Sequence, residues 1–321
     1  MIIVGVESTA HTFGVGIVTD KGKILANLKD SYTSKDVGMI PHEIAEHHGK
    51  VAEQLLKEAF RSAKVEWKDI DLIAYSAGPG LDPVLWRGYN IVKGWAKEHK
   101  KKLVGVNHCC AHLSIGRLWN KLKDPVYLYV SGVNTQIIVQ EQKKKEEGKY
   151  HVLGETLDIG LGNMLDKFGR IVRLGFPAGP KIEEVAKKGK YVELPYIVKG
   201  MDVSFSGLLT RAQQLVERKQ AAKEDLCFSL QETAFAMCAE VAERALAHSG
   251  KKELLLVGGV GANKRFCAML ELMCKERGAR FHQVPMDLAG DQGAMIAWEG
   301  FLRKEDYGDI EVNPHWRADE V

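Results

Sequence analysis

The sequence predicts an α/β protein of two lobes built by duplication. Three observations predict it: an opening of strand, turn and strand that occurs twice, an alternation of apolar strands with helix-period stretches after each opening, and a late strand that runs through Gly258, Gly259 and Gly261 into a helix. The length agrees, because 321 residues exceed one ordinary core. Hydrophobic residues at 45% and charged residues at 27% fit a globular enzyme and exclude disordered, collagen-like and coiled-coil chains.

The elements follow in order. Ile2 to Val6 is an apolar run, Glu7 to Thr12 a polar stretch and Phe13 to Val18 a second run; Asp20 to Gly22 turns the chain into Lys23 to Ala26. This reads as an antiparallel meander. His42 to Ala63 carries Ile44, His48, Val51, Leu55, Leu56 and Ala59 at helical spacing. Within it the neighbours His47 and His48 cannot share a face, so one packs and the other is solvated. A strand at Leu72 to Ala77, a turn through Gly78, Pro79 and Gly80, a helix from Val84 to His99 and a strand at Leu103 to Val106 complete the first half.

The second half repeats the opening. Tyr127 to Val130 is a strand, Ser131 to Asn134 a turn and Thr135 to Val139 a strand; Lys143 to Lys149 is a charged hairpin tip, and Tyr150 to Leu157 a third strand. Helices are expected at Asn163 to Leu174, Pro180 to Lys188, Leu208 to Lys219 and Lys223 to Ala247. They are followed by a strand at Leu254 to Val257, a helix at Lys264 to Glu276, a strand at Ala279 to Val284 and a last helix from Asp291 to Leu302. The expected division is an N-terminal lobe over 1–125 and a C-terminal lobe with a helical insertion over 126–321. Duplicated openings facing each other across a cleft, with a late glycine turn, describe the actin-like ATPase (ASKHA) plan. In that plan each turn offers backbone amides to phosphate, and the interlobe cleft takes a nucleotide and a metal.

The charge balance is near neutral, with 45 Lys and Arg against 42 Asp and Glu, unlike a dedicated nucleic-acid binder. Contact with nucleic acid would be local, through clusters at Lys97, Lys100, Lys101 and Lys102, at Lys187, Lys188 and Lys190, or around Arg211, Arg218 and Lys219. The six cysteines form no CxxC pair, the start MIIVGVES has no basic leader, and no apolar run reaches the roughly 18 residues of a spanning helix. A cytoplasmic chain in a reducing compartment, without membrane association, is the expectation.

The sharpest local motif is Asn107-His108-Cys109-Cys110-Ala111-His112. A strand ends at Asn107, so His108 and His112 begin a helix at i and i+4, about 5–6 Å apart on one face. Two imidazoles so placed chelate one divalent ion, and equally occur as a surface pair. The second position is not Glu, which argues against the HExxH peptidases. Further ligands are sought among strand-end acids and phenols. Asp291 opens the last helix, where an acid also serves as an N-cap, and Tyr129 sits near the end of its strand, where an aromatic also simply packs. Asp166 and Glu183 begin helices, where carboxylates either accept ribose hydroxyls or favour the macrodipole; Gly179 lets a nucleotide pass.

Read in order, GVNHCCAH, LYVSGVNTQ, GETLDIGLGNMLDKFGR, GFPAGPKIE, ELPYIVKGMDVSFSGLL, FSLQETAFAM, LLLVGGVGANKR and GDQGAMIA resemble the tRNA threonylcarbamoyladenosine synthase family, from Val4 to Val321. Within it the chain looks most like the catalytic subunit of the archaeal and eukaryotic KEOPS complex, formerly called an O-sialoglycoprotein endopeptidase. The resemblance implies transfer of threonylcarbamoyl from threonylcarbamoyl-AMP to the exocyclic amine of the adenosine beside the anticodon, in tRNAs reading codons that begin with A. It implies one iron or zinc ion held by His108, His112, Tyr129 and Asp291. It also implies an adenine nucleotide or threonylcarbamoyl-AMP held by Tyr129, Val130, Ser131, Gly132, Val133, Asp166, Gly179, Glu183 and Asn263. The implied partners are tRNA, a small atypical protein kinase and two small accessory subunits. No group is assigned as proton acceptor.

Several positions depart from the family pattern. Val133 replaces the second glycine of SGGNT, Ala178 replaces a usual glycine, Gly290 and Gln292 flank Asp291 where Arg and Asn are frequent, and Asp82 and Trp86 are unusual. Val133 suggests a second reading, a non-catalytic scaffold paralogue, although such paralogues lack the HxxxH pair. A third reading, an actin-fold small-molecule kinase, gives the HxxxH pair and Asp291 no role. Retained activity is the expectation, because all four ligand positions survive.

Overall fold

The computed structural model describes residues 1–33, 40–141, 148–306 and 308–321. Its first elements are β1 (Ile2–Glu7), β2 (Thr12–Thr19), β3 (Ile24–Ser31), α1 (Pro41–Ala63), β4 (Leu72–Gly78), α2 (Asp82–His99), β5 (Lys102–Asn107) and α3 (His108–Trp119). There follow β6 (Val126–Val130), β7 (Thr135–Gln140), β8 (Tyr150–Glu155), α4 (Leu161–Ile171), α5 (Gly179–Ala186), β9 (Val198–Lys199), β10 (Asp202–Val203) and α6 (Ser206–Glu217). The chain continues through α7 (Lys223–Ser249), β11 (Glu253–Val257), α8 (Lys264–Glu276), β12 (Arg280–Gln283), α9 (Met286–Ala289) and α10 (Gly293–Leu302). The expected hairpin tip at Lys143 to Lys149 falls largely outside the described residues. Among the described residues no helix is long and apolar enough to cross a membrane.

Two compact units emerge, one built mainly from Met1–Leu118 with Gly290–Val321, the other from Trp119–Glu141 with His151–Ala289. This corrects the expected division at 125/126, because the C-terminal segment belongs to the first unit. The first unit's sheet has the order β3-β2-β1-β4-β5. β1 pairs antiparallel with β2 and parallel with β4, and β4 is parallel to β5. Both faces are covered, which is why β1 reads as a continuous apolar run. α10 lies on β1, β2 and β4 so closely that a Cβ at Gly5 would stand 2.1 Å from the Ala297 nitrogen, and one at Gly16 only 2.0 Å from that of Ala294. Glycine at those two strand positions is what lets the helix seat. The side chains of Met295 and Ile296 complete the core there with Ile3, Leu72 and Val106.

The second unit repeats the plan, with sheet order β12-β11-β6-β7-β8. β6 pairs antiparallel with β7 and parallel with β11, as β1 does with β2 and β4. Its core gathers Leu128, Val130, Phe168, Leu208, Leu230, Phe235, Leu256 and Phe266. α7 supplies much of this core, since its buried positions run from Leu226 to Leu246. The short β9-β10 ribbon, two residues on each side, was not foreseen, because so short a run carries no period.

Candidate active site

In the first unit the site begins where β5 passes into α3. Asn107 is buried, and its Oδ1 accepts the Cys109 and Cys110 amides at 2.9 and 3.1 Å, capping the helix. Its Nδ2 donates to the Trp316 and Arg317 carbonyls at 3.1 and 3.2 Å, so one amide joins the helix start to the C-terminal segment. His108 and His112 follow one turn apart, both buried, with ring centroids 4.7 Å apart at 87°.

Asp291 joins them from the far end of the sequence. Its Oδ1 lies 3.3 Å from His112 Nε2 and 3.6 Å from His108 Nε2. One donor atom from each of His108, His112 and Asp291 falls within 4.8 Å of the others. Asp291 is not the helix cap foreseen as its alternative: α10 starts at Gly293, and the Gln292 side chain caps it by accepting the Met295 amide at 3.0 Å. Gln292 is fully buried and, among the described residues, its Nε2 has no partner, an unspent donor next to Asp291 in the sequence.

Behind His108 stands Glu7, fully buried, whose Oε2 accepts from Nδ1 at 2.9 Å. Its Oε1 is fixed by the Thr9 amide at 2.7 Å and hydroxyl at 2.5 Å. With Nδ1 committed to Glu7, Nε2 is the nitrogen turned toward Asp291. Burial alone would lower the His108 pKa, but the Glu7 carboxylate, by charge and hydrogen bond, and Asp291 push it up to about 9. Burial lowers His112 despite its hydrogen bond to Asp291. Burial would raise Asp291, yet the His112 hydrogen bond and the two imidazoles hold it well below the usual carboxylate range. A buried carboxylate, Glu7, and a half-buried one, Asp291, around two buried imidazoles form a site that calls for positive charge. Two nitrogens and one oxygen are the donor set a borderline divalent ion takes, with room left for a fourth ligand.

The other expected residues lie in the second unit. Tyr129 is buried on β6, opposite Gln136 of β7 and Val257 of β11. Val130 ends that strand and pairs with Thr135. The turn closes through Ser131 N donating to the Asn134 carbonyl at 2.8 Å and Asn134 N donating to Ser131 Oγ at 3.0 Å. The start of α4 is already spent on this turn. Leu161 N donates to Thr135 Oγ1, Gly162 N to the Ser131 carbonyl and Asn163 N to the Gly132 carbonyl. That helix end therefore locks the loop and offers no phosphate site of its own. Among the described residues the Gly132 and Val133 amides donate to nothing in the protein, and they remain the turn's open donors. Val133 is 69% exposed and is not among the residues in the left-handed region, so the backbone there does not require glycine.

Asp166 on α4 accepts the Ala178 amide at 2.8 Å, fixing the loop that enters α5. Ala178 is buried, and a Cβ at Gly169 would fall 2.1 Å from its own, so the extra methyl is accommodated by the facing glycine. Nothing lies within 4 Å of where a Cβ of Gly179 or Gly259 would stand, space at the backbone that packing leaves open. Glu183 on α5 accepts the Lys264 amide at 2.8 Å. Asn263 caps α8 by accepting the Phe266 amide and donates to Gln231 Oε1 at 3.0 Å. Glu183, Gln231 and Lys264 line a cavity of about 470 Å³ between α5, α7 and the start of α8. Its outer side carries the forked Arg265 and Glu232 pair, two bonds of 2.6 Å.

The structure thus brings His108, His112 and Asp291 together in one unit, and Asp166, Ala178, Gly179, Glu183 and Asn263 around adjoining helix starts in the other. Sequence reasoning missed Glu7, Thr9, Asn107 and Gln231. The polar break after β1 was the available signal for the first two. The lysines at 97 and 100–102 lie at the opposite end of β5 from His108, about 20 Å along the strand.

The chain matches the TsaD family, tRNA N6-adenosine threonylcarbamoyltransferase, over residues 23–298. It is 52% identical over 301 residues to the tRNA N6-adenosine threonylcarbamoyltransferase of Thermococcus sibiricus, spanning 94% of this chain and 91% of that one. Its identity to the Thermococcus kodakarensis protein of the same name is 50% over 328 residues, spanning 100% and 98%. It is 47% identical to a probable bifunctional tRNA threonylcarbamoyladenosine biosynthesis protein of Methanocaldococcus jannaschii, covering 60% of that longer chain. Among solved structures, Thermococcus kodakarensis HypF superposes with a TM-score of 0.66 at 17% identity, over 95% of this chain and 48% of that one. Component A of the Acidaminococcus fermentans (R)-2-hydroxyglutaryl-CoA dehydratase gives 0.56 at 13%, over 95% and 99%. At such identities these two speak for the fold alone, the duplicated actin-like ATPase fold that the sequence predicted.

Proposed function

The chain belongs to the tRNA N6-adenosine threonylcarbamoyltransferase family, and we propose that it transfers threonylcarbamoyl from threonylcarbamoyl-AMP to the exocyclic amine of the adenosine beside the anticodon. It is a tRNA-modifying transferase, and its substrates are tRNAs reading codons that begin with A. The observation that carries the reading is the cluster of the buried His108 and His112 with the half-buried Asp291, with Glu7 behind it.

In this reading His108, His112 and Asp291 hold one iron or zinc ion, with Tyr129 as a further ligand. The bound ion supplies a Lewis acid for an oxygen of the threonylcarbamoyl end. Glu7 orients His108 so that Nε2 is presented, and Thr9 holds Glu7 in place through its amide and hydroxyl. The open amides of Gly132 and Val133 receive the phosphate, and Ser131 and Asn134 hold that turn in shape. Asp166 and Glu183 each keep one carboxylate oxygen for a ribose hydroxyl after bonding Ala178 and Lys264. Gly179 leaves room for the nucleoside, and Asn263 acts from beneath by fixing Gln231 and the start of α8. The RNA amine forms the new C–N bond and gives up one N–H proton to solvent, the bond from the carbamoyl carbon to the phosphate oxygen breaks, and AMP departs with its charge held by the turn amides.

The exposed Val133 speaks against the scaffold paralogue, since its side chain fills no space that the turn needs. A family of transferases speaks against a small-molecule kinase. A KEOPS-type assembly with a small kinase and two accessory subunits, in the cytoplasm, completes the proposal. The test incubates the protein and these partners with threonine, bicarbonate, ATP, the adenylate-forming enzyme and tRNA, followed by nucleoside analysis. Formation of threonylcarbamoyladenosine, lost in His112→Ala, is expected; its absence with the wild type overturns the reading.

A further inference from the structure

The corner between α4 and α5 carries a surface that the adenylate reading leaves unused. Residues 167–182 contain four cations, Lys167, Arg170, Arg173 and Lys181, and no carboxylate, on a chain whose total charge is only +3. All four are exposed, and among the described residues no ion pair engages any of them. Phe176 falls within the same stretch at 59% exposure, a large apolar ring that the local packing does not use. Lys181 Nζ donates to the Leu174 carbonyl at 2.7 Å and lies 3.3 Å from where a Cβ of Gly175 would stand, so an ammonium flanks the loop that presents the ring.

The corner's position matters as much as its composition. Phe176 is two residues from Ala178, whose amide bonds Asp166, and three from Gly179. The ring is therefore on the rim of the candidate adenylate residues, within the same unit. A protein partner would match an exposed ring with an apolar surround. Uncompensated cations around one aromatic instead match an unpaired RNA strand, whose phosphates take the cations while an unstacked base lies on the ring.

We infer that the α4–α5 corner holds the unpaired loop of the acceptor RNA, with Phe176 stacking on a base next to the target adenosine and Arg170, Arg173 and Lys181 contacting phosphates. The inference rests on the tRNA-modifying reading and adds where the acceptor sits. Phe176 is a specificity-determining contact to substrate, and the cations set affinity and salt dependence.

The experiment measures binding of an unmodified anticodon stem-loop RNA by fluorescence anisotropy across salt concentrations, for the full chain and three variants. Phe176→Ala is expected to weaken binding about tenfold, the loss of one base stack, while calorimetric binding of threonylcarbamoyl-AMP stays as in the wild type. Phe176→Trp is expected to keep the affinity and to add an emission component that RNA quenches. The double variant Arg170→Gln with Arg173→Gln is expected to reduce the slope of log affinity against log salt by about 1.4, at about 0.7 per phosphate of single-stranded RNA. Unchanged RNA affinity in Phe176→Ala, with an unchanged slope in the double variant, overturns the inference even if the wild type modifies tRNA. Unchanged RNA binding accompanied by weaker association with a partner subunit overturns it in favour of a protein-docking corner. A wild type that neither binds the stem-loop nor forms the modified nucleoside overturns both this inference and the reading beneath it.

Discussion

Replacing Asn107 by Ala separates the support of the histidine helix from its chemistry. One buried amide serves four partners, the Cys109 and Cys110 amides on one side and the Trp316 and Arg317 carbonyls on the other. Losing the cap costs about 1 kcal/mol. Each carbonyl deprived of its donor costs about 1 kcal/mol more, for about 3 kcal/mol in total. A domain stable by roughly 5–15 kcal/mol survives that loss folded. Asn107→Asp divides the effect: its oxygens keep capping α3, helped by the helix dipole, but they face the two carbonyls with a carboxylate and release the C-terminal segment. Chemical denaturation gives the totals, and amide hydrogen exchange resolves the parts. Fast exchange is expected at Cys109, Cys110 and the 313–318 segment in the Ala variant, and only in that segment in the Asp variant. Because His108 is the next residue, zinc affinity is expected to fall in Ala more than in Asp. A loss below about 1 kcal/mol in Asn107→Ala, with exchange unchanged at both places, refutes the linkage.

Three further outcomes are expected. Glu7→Gln removes the charge behind His108, and metal affinity measured by competition with a chelator falls about 10–100-fold; an unaltered affinity removes Glu7 from its positioning role. Val133→Gly leaves calorimetric affinity for threonylcarbamoyl-AMP within about twofold, because the side chain is exposed and its backbone lies outside the left-handed region; a large gain would show that the valine obstructs the phosphate. His48 is buried on α1 with Nε2 2.9 Å from the Ala10 carbonyl, and burial lowers its pKa to about 4. The unfolded chain binds that proton from pH 6.5 downward and the folded one only near pH 4, so stability is full above 6.5 and declines by up to about 3 kcal/mol between these values. Denaturation at pH 7, 5.5 and 4 reads it, and His48→Gln should flatten the decline; an equally steep loss in the variant assigns the acid sensitivity elsewhere.

Local pattern made most of the fold legible. The meander of β1 to β3 and its copy in β6 to β8 announce themselves through β-branched runs broken by polar turns, and α8 falls at the expected Lys264 to Glu276. The final helix was legible as an element but not as a member of a unit. Apart from Glu299 its sequence is apolar all round, which says only that it is buried, and its seat depends on Gly5 and Gly16, nearly the whole chain away. Contacts of that separation leave no periodic trace. For the same reason the pairing of Glu7 with His108, 101 positions apart, could not be read from spacing, although the helical spacing of His108 and His112 could.

The substituted glycines show where pattern and physics part. Judged against SGGNT, Val133 looks like an obstacle, since a second glycine suggests a backbone that only glycine can adopt. That inference holds only where φ is positive or another atom occupies the place of Cβ, and neither holds at Val133. Two neighbouring glycines do carry such a constraint: a Cβ at Gly160 would stand 2.2 Å from the Val133 carbonyl oxygen, and one at Gly162 2.7 Å from that of Ser131. The close approach is made by the start of α4 against the turn, so those two glycines fix the loop's shape while position 133 faces outward. Ala178 follows the same rule, tolerated because Gly169 opposite it yields the space. A glycine in a motif thus matters by what lies against it, and Gly160→Ala should disrupt the turn from Ser131 to Asn134 far more than any side chain at 133.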